Sequence, residues 1–339
     1  MPANLSPEYK AAEAGLRQAR DPQDRLHWLR EMLRTIPKHK GTDHLQADIK
    51  TRIKELTDEL AGPRTGAAHG GPVTAIRPEG AAQVALIGPP NSGKSALHAA
   101  LTHSHAQSGP YPFTTQYPQP GMLPFEDALF QLLDLPPIHP AHPVPWIGRA
   151  LQHTDACLLT VDLSDPGCVD QVTALHEELR GRRVYLSARW PGSTPEEELE
   201  VPQDPFAVVL PTLLLATKAD LTANLTDELA VFRELTGLDY QVLPVSVETG
   251  LGLEAIGPWL FRELAIVRVY TKAPGRPPEQ GRPFTLRRGA TVDDVARLVH
   301  KDFASALKYA RRWPKAGGTV SQVGRDHPVE DGDVLELHT

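Results

Sequence analysis

Apolar residues recur every three or four positions through the first sixty residues. Leu26, Leu29, Leu33 and Ile36 make one such stripe, and Leu45, Ile49, Ile53, Leu56 and Leu60 make a second. This period predicts amphipathic helices, each with one face to bury. Lys38-His39-Lys40-Gly41-Thr42-Asp43 interrupts it, with Thr42 or Asp43 placed to cap the second helix, so residues 1–60 read as an antiparallel helical hairpin. Gly62-Pro63, Gly70-Gly71-Pro72 and Arg77-Pro78 then give residues 61–82 the composition of a linker.

From residue 83 the pattern changes to short apolar runs at 84–87, 128–133, 156–161, 213–216 and 242–245. Helical stretches around 96–101, 169–180, 225–235 and 251–264 separate most of them. Short apolar strands alternating with helices predict an α/β fold with a parallel-rich sheet covered on both faces. Within it, residues 181–208 carry several prolines and the run Glu196-Glu197-Glu198, which reads as an exposed insertion. Residues 266–339 form a further unit. A strand-like run at 266–270, a Thr291/Asp294 capping signal and an alternating strand after Asp331-Gly332 predict a small α+β module. The expected domains are therefore 1–60, 61–82, 83–265 and 266–339.

Composition changes this picture little. Of 339 residues, 40% are hydrophobic and 23% charged, as in soluble globular proteins. No apolar run approaches the roughly 20 residues of a membrane span, and the N-terminus has no apolar signal segment, so the expectation is a cytoplasmic protein with no membrane partner. Cys157 and Cys168 have no metal-ligand spacing, and Cys157 lies in an apolar run as core filler. Charge is informative. Residues 1–82 hold 13 basic against 11 acidic side chains, residues 83–265 hold 9 against 22, and residues 266–339 hold 13 against 9. A polyanionic partner would meet the two basic ends.

The chemistry lies in Gly88-Pro89-Pro90-Asn91-Ser92-Gly93-Lys94-Ser95, which follows the run at 84–87 and precedes a helix beginning near Ala96. That strand–loop–helix context is what a phosphate-binding loop requires. Gly88 and Gly93 let the backbone curl so that successive N–H groups face a phosphate, and the helix N-terminus adds to the field. Lys94 would neutralise the β/γ oxygens, and the Ser95 hydroxyl would ligate Mg²⁺. Thr217-Lys218-Ala219-Asp220 stands at another strand end. The Asp220 carboxylate can accept from N1 and the 2-amino group of guanine, a donor pair adenine lacks, while the Lys218 stem lies along the base. Ser246 and Val247 open a loop whose backbone N–H groups would face O6.

Two further elements stand between: Tyr111-Pro112-Phe113-Thr114-Thr115, with a threonine hydroxyl for Mg²⁺ at Thr115, and Asp134-Leu135-Pro136-Pro137, with a carboxylate for a Mg²⁺-bound water at Asp134. In this order and spacing the elements resemble a GTPase of the translation-factor-like class, and Tyr-Pro-Phe-Thr-Thr followed by Asp-Leu-Pro resembles the Obg superfamily. Thr35 to Leu45 is similar to the opening helices of the developmentally regulated GTP-binding (DRG) proteins. Val269-Tyr270-Thr271-Lys272, His300-Lys301-Asp302, Lys308-Tyr309-Ala310 and Val323-Gly324-Arg325-Asp326-His327 resemble their TGS module. The resemblance covers nearly the whole chain, although the 181–208 stretch is much shorter than the DRG family's extra domain. It implies a P-loop GTPase with a β-grasp TGS domain, acting at ribosomes or on RNA through its basic N-terminal hairpin and its TGS domain.

One departure bears on activity. Pro137 stands where the family's Asp-x-x-Gly motif has a glycine whose N–H meets the γ-phosphate, and proline has no N–H to give. The loop beyond it, Ile138 to Pro145, is rich in proline. His139 or His142 would position water, or they are solvated loop residues. Asn91 matches the asparagine of GTPases that use K⁺ beside the phosphates, or it is a turn-favouring residue. With Asn91, Lys94 and Thr115 as the catalytic candidates, the leading expectation is a slow Mg²⁺-dependent GTPase. The alternatives are a pseudo-GTPase and a nucleotide-insensitive RNA- or ribosome-binding adaptor.

Overall fold

The computed structural model describes residues 6–19, 21–37, 42–60, 76–102, 117–195, 204–273, 283–315 and 319–339. The chain divides into two compact units, residues 1–73 and 74–339.

The first unit is helical: α1 (Pro7–Gln18), α2 (Pro22–Thr35) and α3 (Asp43–Leu60). The sequence reading of a two-helix hairpin is corrected to three helices. The first escaped notice because its buried face, Tyr9, Ala12 and Leu16, gives a weak apolar stripe. Its start is nonetheless written in the sequence. Ser6 and Asp21 each precede a proline, and their side chains accept from Tyr9 N–H at 3.1 Å and Gln23 N–H at 2.7 Å. Each supplies an N-cap to a helix whose first position carries a proline.

The second unit opens with a seven-stranded sheet. Its strands are β1 (Ala82–Ile87), β2 (Gln119–Phe125), β3 (Ala128–Asp134), β4 (Ala156–Asp162), β5 (Val184–Ser187), β6 (Val208–Thr217) and β7 (Gln241–Pro244). The order is β2-β3-β1-β4-β6-β5, with β7 also pairing β6, and every pair is parallel except β2–β3. Helices α4 (Lys94–Thr102), α5 (Ile147–Leu151), α6 (Cys168–Arg180), α7 (Leu225–Thr236) and α8 (Leu253–Glu263) connect the strands. Buried side chains pack in two clusters, one holding Ile87, Leu159 and Val172 and the other Leu86, Leu158 and Ile256. Alternate residues of each central strand thus enter opposite cores, as a sheet covered on both faces demands.

Two expectations change here. Residues 181–208 are not a wholly exposed insertion: β5 lies in the sheet beside the first half of β6, and Trp190 and Phe206 are buried. Trp190 meets Trp259 of α8 edge-on at 4.4 Å, and Gly192 N–H donates to Glu263 O at 2.7 Å. Glu196-Glu197-Glu198 lies outside the described residues. Strand β2 was also missed, because Pro120, Gly121 and Pro124 read as loop. It sits at the sheet edge, where a proline without a ladder N–H is tolerated.

Strands β8 (Ile266–Thr271), β9 (Phe284–Arg287), β10 (Tyr309–Trp313), β11 (Ser321–Val323) and β12 (Asp333–His338) form a second sheet, in the order β11-β10-β12-β8-β9. Helix α9 (Val292–Val299) packs on it, followed by α10 (Lys301–Ala306). Thr291 and Asp294 form the expected capping box. No free linker separates this sheet from the first. Ile266 belongs to the core of the larger sheet and Val267, the next residue, to the core of the smaller.

Candidate nucleotide site

Strand β1 is buried along its whole length and delivers the chain into the loop at 88–93. A side chain at Gly88 would place its Cβ 2.3 Å from Thr160 Oγ1 and 2.6 Å from Thr160 O, so β4 leaves room only for glycine. Ser92 Oγ lies 2.7 Å from Thr160 Oγ1 and donates to Pro89 O at 2.9 Å, which fixes the curl of the loop from beneath. Gly93 and Asn91 both have positive φ, at 84° and 60°. Asn91 is exposed, and its left-handed backbone suits a turn residue and an ion-facing one alike.

Lys94 is 5% exposed, and its Nζ donates to Pro89 O at 2.7 Å. Burial lowers its pKa to about 8, against a raising influence from Asp134. Ser95 Oγ donates to Asp134 Oδ2 at 2.6 Å. The β1–β3 register pairs Leu86 with Asp134 and so brings that carboxylate beside the loop. A hydroxyl and a carboxylate oxygen in contact are the hard donor set that Mg²⁺ takes. Ala96 follows in the first turn of α4. Thr115, the other expected metal ligand, lies outside the described residues.

The candidate base loops converge on the same edge. Thr217 ends β6 with its Oγ1 2.9 Å from Ser92 O and 3.1 Å from Val161 O, which ties the base side to the phosphate loop. Lys218 has φ 52° and donates from Nζ to Asp162 Oδ2 at 2.7 Å. Asp162 Oδ1 accepts from Ser164 N–H and Oγ at 3.0 and 2.6 Å. Burial raises the Asp162 pKa, but the bonds from Lys218 and Ser164 outweigh it and hold the carboxyl below its usual range. Asp220 is exposed, and its carboxylate makes no hydrogen bond or ion pair among the described residues. Ser246 is buried, its Oγ accepts from Thr249 N–H at 3.2 Å, and Val247 beside it is 39% exposed.

Residues 83–188 match the family model described as a 50S ribosome-binding GTPase, and residues 267–339 match the TGS domain. A GTP-binding protein of Methanocaldococcus jannaschii is 27% identical, over 93% of this chain and 92% of its own length. Developmentally-regulated G-protein 2 of Arabidopsis thaliana is 28% identical, over 91% of this chain and 88% of its own. Residues 83–188 are thus a P-loop GTPase domain and residues 267–339 a TGS domain, in a chain similar over most of its length to the DRG proteins. The fold is also that of the Schizosaccharomyces pombe YchF GTPase, at a TM-score of 0.51 and 14% identity, covering 79% of this chain and all of that one. No helix among the described residues is long and apolar enough to cross a membrane.

In this GTPase domain the segment after Asp134 is closed onto the phosphate loop. Leu135, Pro136, Pro137 and Ile138 are buried. Leu135 N–H donates to Leu86 O and Ile138 N–H to Gly88 O, both at 3.3 Å. The first amide after Pro137 is therefore spent on the loop's own backbone. His139 Nδ1 accepts from Ala141 N–H at 3.1 Å, and His142 N–H donates to His139 O at 3.0 Å, so the pair shapes its own turn.

Sequence reasoning missed Thr160 and Asp162. Asp162 carried a signal, a carboxylate ending a largely apolar run. Thr160 carried none, since a threonine within a strand reads as ordinary strand composition.

Proposed function

We propose that this chain is a slow, Mg²⁺-dependent GTP hydrolase whose nucleotide state governs contact with ribosomes or RNA. The observation that carries this reading is the Ser95–Asp134 pair beside the buried Lys94, with the unengaged Asp220 carboxylate on the base side. Lys94 and the loop amides would hold the phosphates, and Ser95 and Asp134, with Thr115, would hold Mg²⁺. When bound, the ion would neutralise charge on the phosphate oxygens. Asp220, Lys218, Ser246 and Val247 would read guanine. Titration with GTP, GDP and ATP, followed by GTP turnover in K⁺ and Na⁺ buffers, tests it. Equal affinity for ATP and GTP, or no turnover in either buffer, overturns it. Faster turnover in K⁺ would support the ion-facing role of Asn91.

The closed segment at Pro137 favours a second reading, a pseudo-GTPase that does not distinguish GTP from GDP. Proline offers no N–H, and the Ile138 amide already has an acceptor. One missing charge-assisted hydrogen bond is worth about 1.5–3 kcal/mol, or roughly a tenfold to hundredfold loss of discrimination. Pro137→Gly is therefore expected to shift preference toward GTP by about that factor, read as dissociation constants by calorimetry in KCl. A wild type that already prefers GTP strongly would refute this second reading.

A role for the TGS domain in ribosome or RNA binding rests on its exposed cations. Arg287 pairs with Asp155 at 2.9 Å and Arg312 with Asp333 at 2.7 Å, so both serve the fold. Arg288 is exposed, and the Arg311 and Lys315 side chains are 53% and 63% exposed and reach carboxylates only at long range, Glu336 at 3.7 Å and Asp331 at 3.8 Å. Deleting residues 266–339 would also strip Ile266 from the GTPase core. The cleaner variant reverses charge at Arg288, Arg311 and Lys315. It should leave nucleotide affinity intact and weaken salt-sensitive co-sedimentation with ribosomes by about tenfold. Unchanged co-sedimentation would remove this surface from the proposal.

A further inference from the structure

The tip of the β2–β3 hairpin is a two-residue turn, Glu126-Asp127, between the paired residues Phe125 and Ala128. Such turns favour Asn-Gly because φ must be positive. Here Glu126 adopts φ 51° without that help. A strained backbone at a turn built from two carboxylates calls for something that holds it, and Arg268 of the TGS strand β8 supplies it. Its side chain is 7% exposed and bonds Asp331 in a fork, Nε to Oδ1 at 2.9 Å and Nη2 to Oδ2 at 2.8 Å. The remaining nitrogen, Nη1, donates to Glu126 and, at 2.9 Å, to Asp127. The Tyr270 hydroxyl donates to Asp127 as well. Burial and the Asp127 carboxylate push the Tyr270 pKa up to about 12, so the phenol remains a donor. Beneath the ion pairs, Arg268 lies 4.8 Å over the Phe261 ring, and Phe261 packs on Phe125 at 5.4 Å. Gly257 of α8 allows this approach, since a Cβ there would meet Phe125 at 3.2 Å.

Strand β2 needs such an anchor. It is an edge strand paired on one side only, and Pro120 and Pro124 give it no ladder N–H. It directly follows the segment carrying Thr115, and its first residue, Gln119, pairs with Asp134. A two-stranded ribbon of this length spans about 20 Å from turn to Asp134.

We propose that Arg268 is a positioning residue for the nucleotide site: by gripping Glu126 and Asp127 it makes the TGS domain the brace of the β2–β3 hairpin and so of the magnesium side of the site. This rests on the GTPase reading above. It also gives the TGS domain a task inside the molecule besides any contact outside it. What displaces the TGS domain loosens the hairpin, and what tightens the hairpin holds the TGS domain.

The test uses the full chain with Arg268→Gln and Asp127→Asn. The second variant leaves the Arg268–Asp331 fork intact and alters only an exposed turn, so it folds even if the first does not. Two quantities are measured: hydrogen exchange of residues 119–134 in nucleotide-free protein, and the MgCl₂ concentration at which release of fluorescently labelled GDP becomes half-maximally slow. The expected result is faster exchange in the hairpin by about tenfold, with α9 and β10 unchanged, and a Mg²⁺ midpoint raised by a similar factor. GDP affinity without Mg²⁺ stays as in the wild type. Unchanged hairpin exchange in both variants overturns the brace, and a loosened hairpin with an unmoved Mg²⁺ midpoint overturns the positioning role. A wild type that binds no GDP removes the GTPase reading, and the exchange measurement alone then decides whether the brace exists.

Discussion

Replacing Lys94 by alanine is expected to abolish measurable binding of GTP and GDP while leaving the fold at least as stable. The side chain is 5% exposed, and among the described residues its donors meet Pro89 O, at 2.7 Å, and Ser92 Oγ, at 3.4 Å. A buried cation whose desolvation the Asp134 carboxylate offsets only in part costs stability until a further anion arrives. Two charge-assisted bonds to phosphate, at about 1.5–3 kcal/mol each, amount to roughly 10²–10⁴ in affinity. The same burial makes binding depend on pH with a definite sign. The free, folded protein holds Lys94 at a pKa of about 8, below the ordinary 10.5. Below pH 8 the lysine is charged in both folded and unfolded chains, and the burial penalty is present in full. Between pH 8 and 10.5 the unfolded chain binds more protons, so this group's contribution to stability improves as pH rises. A bound phosphate keeps the lysine protonated, so above pH 8 nucleotide binding takes up a proton. Affinity should then fall by up to about tenfold per pH unit. Calorimetry in buffers of different ionisation enthalpy reads the proton directly. A pH-independent affinity between 7 and 9.5 would show that Lys94 does not meet the phosphates.

The second large effect is expected at Asp220. Asp220→Asn replaces one of the two acceptor oxygens with a donor, facing a base edge that itself donates. GDP affinity should drop by about a hundredfold or more, since hydrogen bonds to a charged group are lost and a buried donor of the base is left unpaired. ADP affinity should change by less than about threefold, which separates base reading from damage to the fold. Inosine diphosphate, which lacks the 2-amino group, should bind the wild type more weakly than GDP and lose less on substitution. Equal losses for GDP and ADP would assign Asp220 a structural part. Lys218 behaves differently, because Asp162 already holds its Nζ before any ligand is present. That pairing removes side-chain freedom that a lysine otherwise loses on binding.

The phosphate loop, the five apolar strands and the capping box at Thr291 are legible in the sequence because each is a local pattern. A glycine spacing, a period or a cap is decided by residues within a few positions of one another. Strand β2 was hidden for the same reason. Pro120, Gly121 and Pro124 speak locally against a strand, and only pairing with β3 along seven residues overrides them. Strand β5 and the buried Trp190 disappeared behind an acidic, proline-rich stretch, since nothing nearby in sequence announces the Trp259 that Trp190 packs on. At the site, the residue types proposed to meet a nucleotide could be named from the sequence, but their supports could not. Thr160 beneath Gly88, Asp162 on Lys218, Gly88 O on the Ile138 amide and Arg268 on the hairpin turn all join residues some 50 to 140 positions apart. The sequence by itself determined which groups are the candidates for phosphate and guanine, because that chemistry belongs to residue types and short spacings. The tertiary structure alone decided which of them are held, buried or shifted in pKa. Those properties depend on the order of strands in the sheet and on where the TGS domain closes against it.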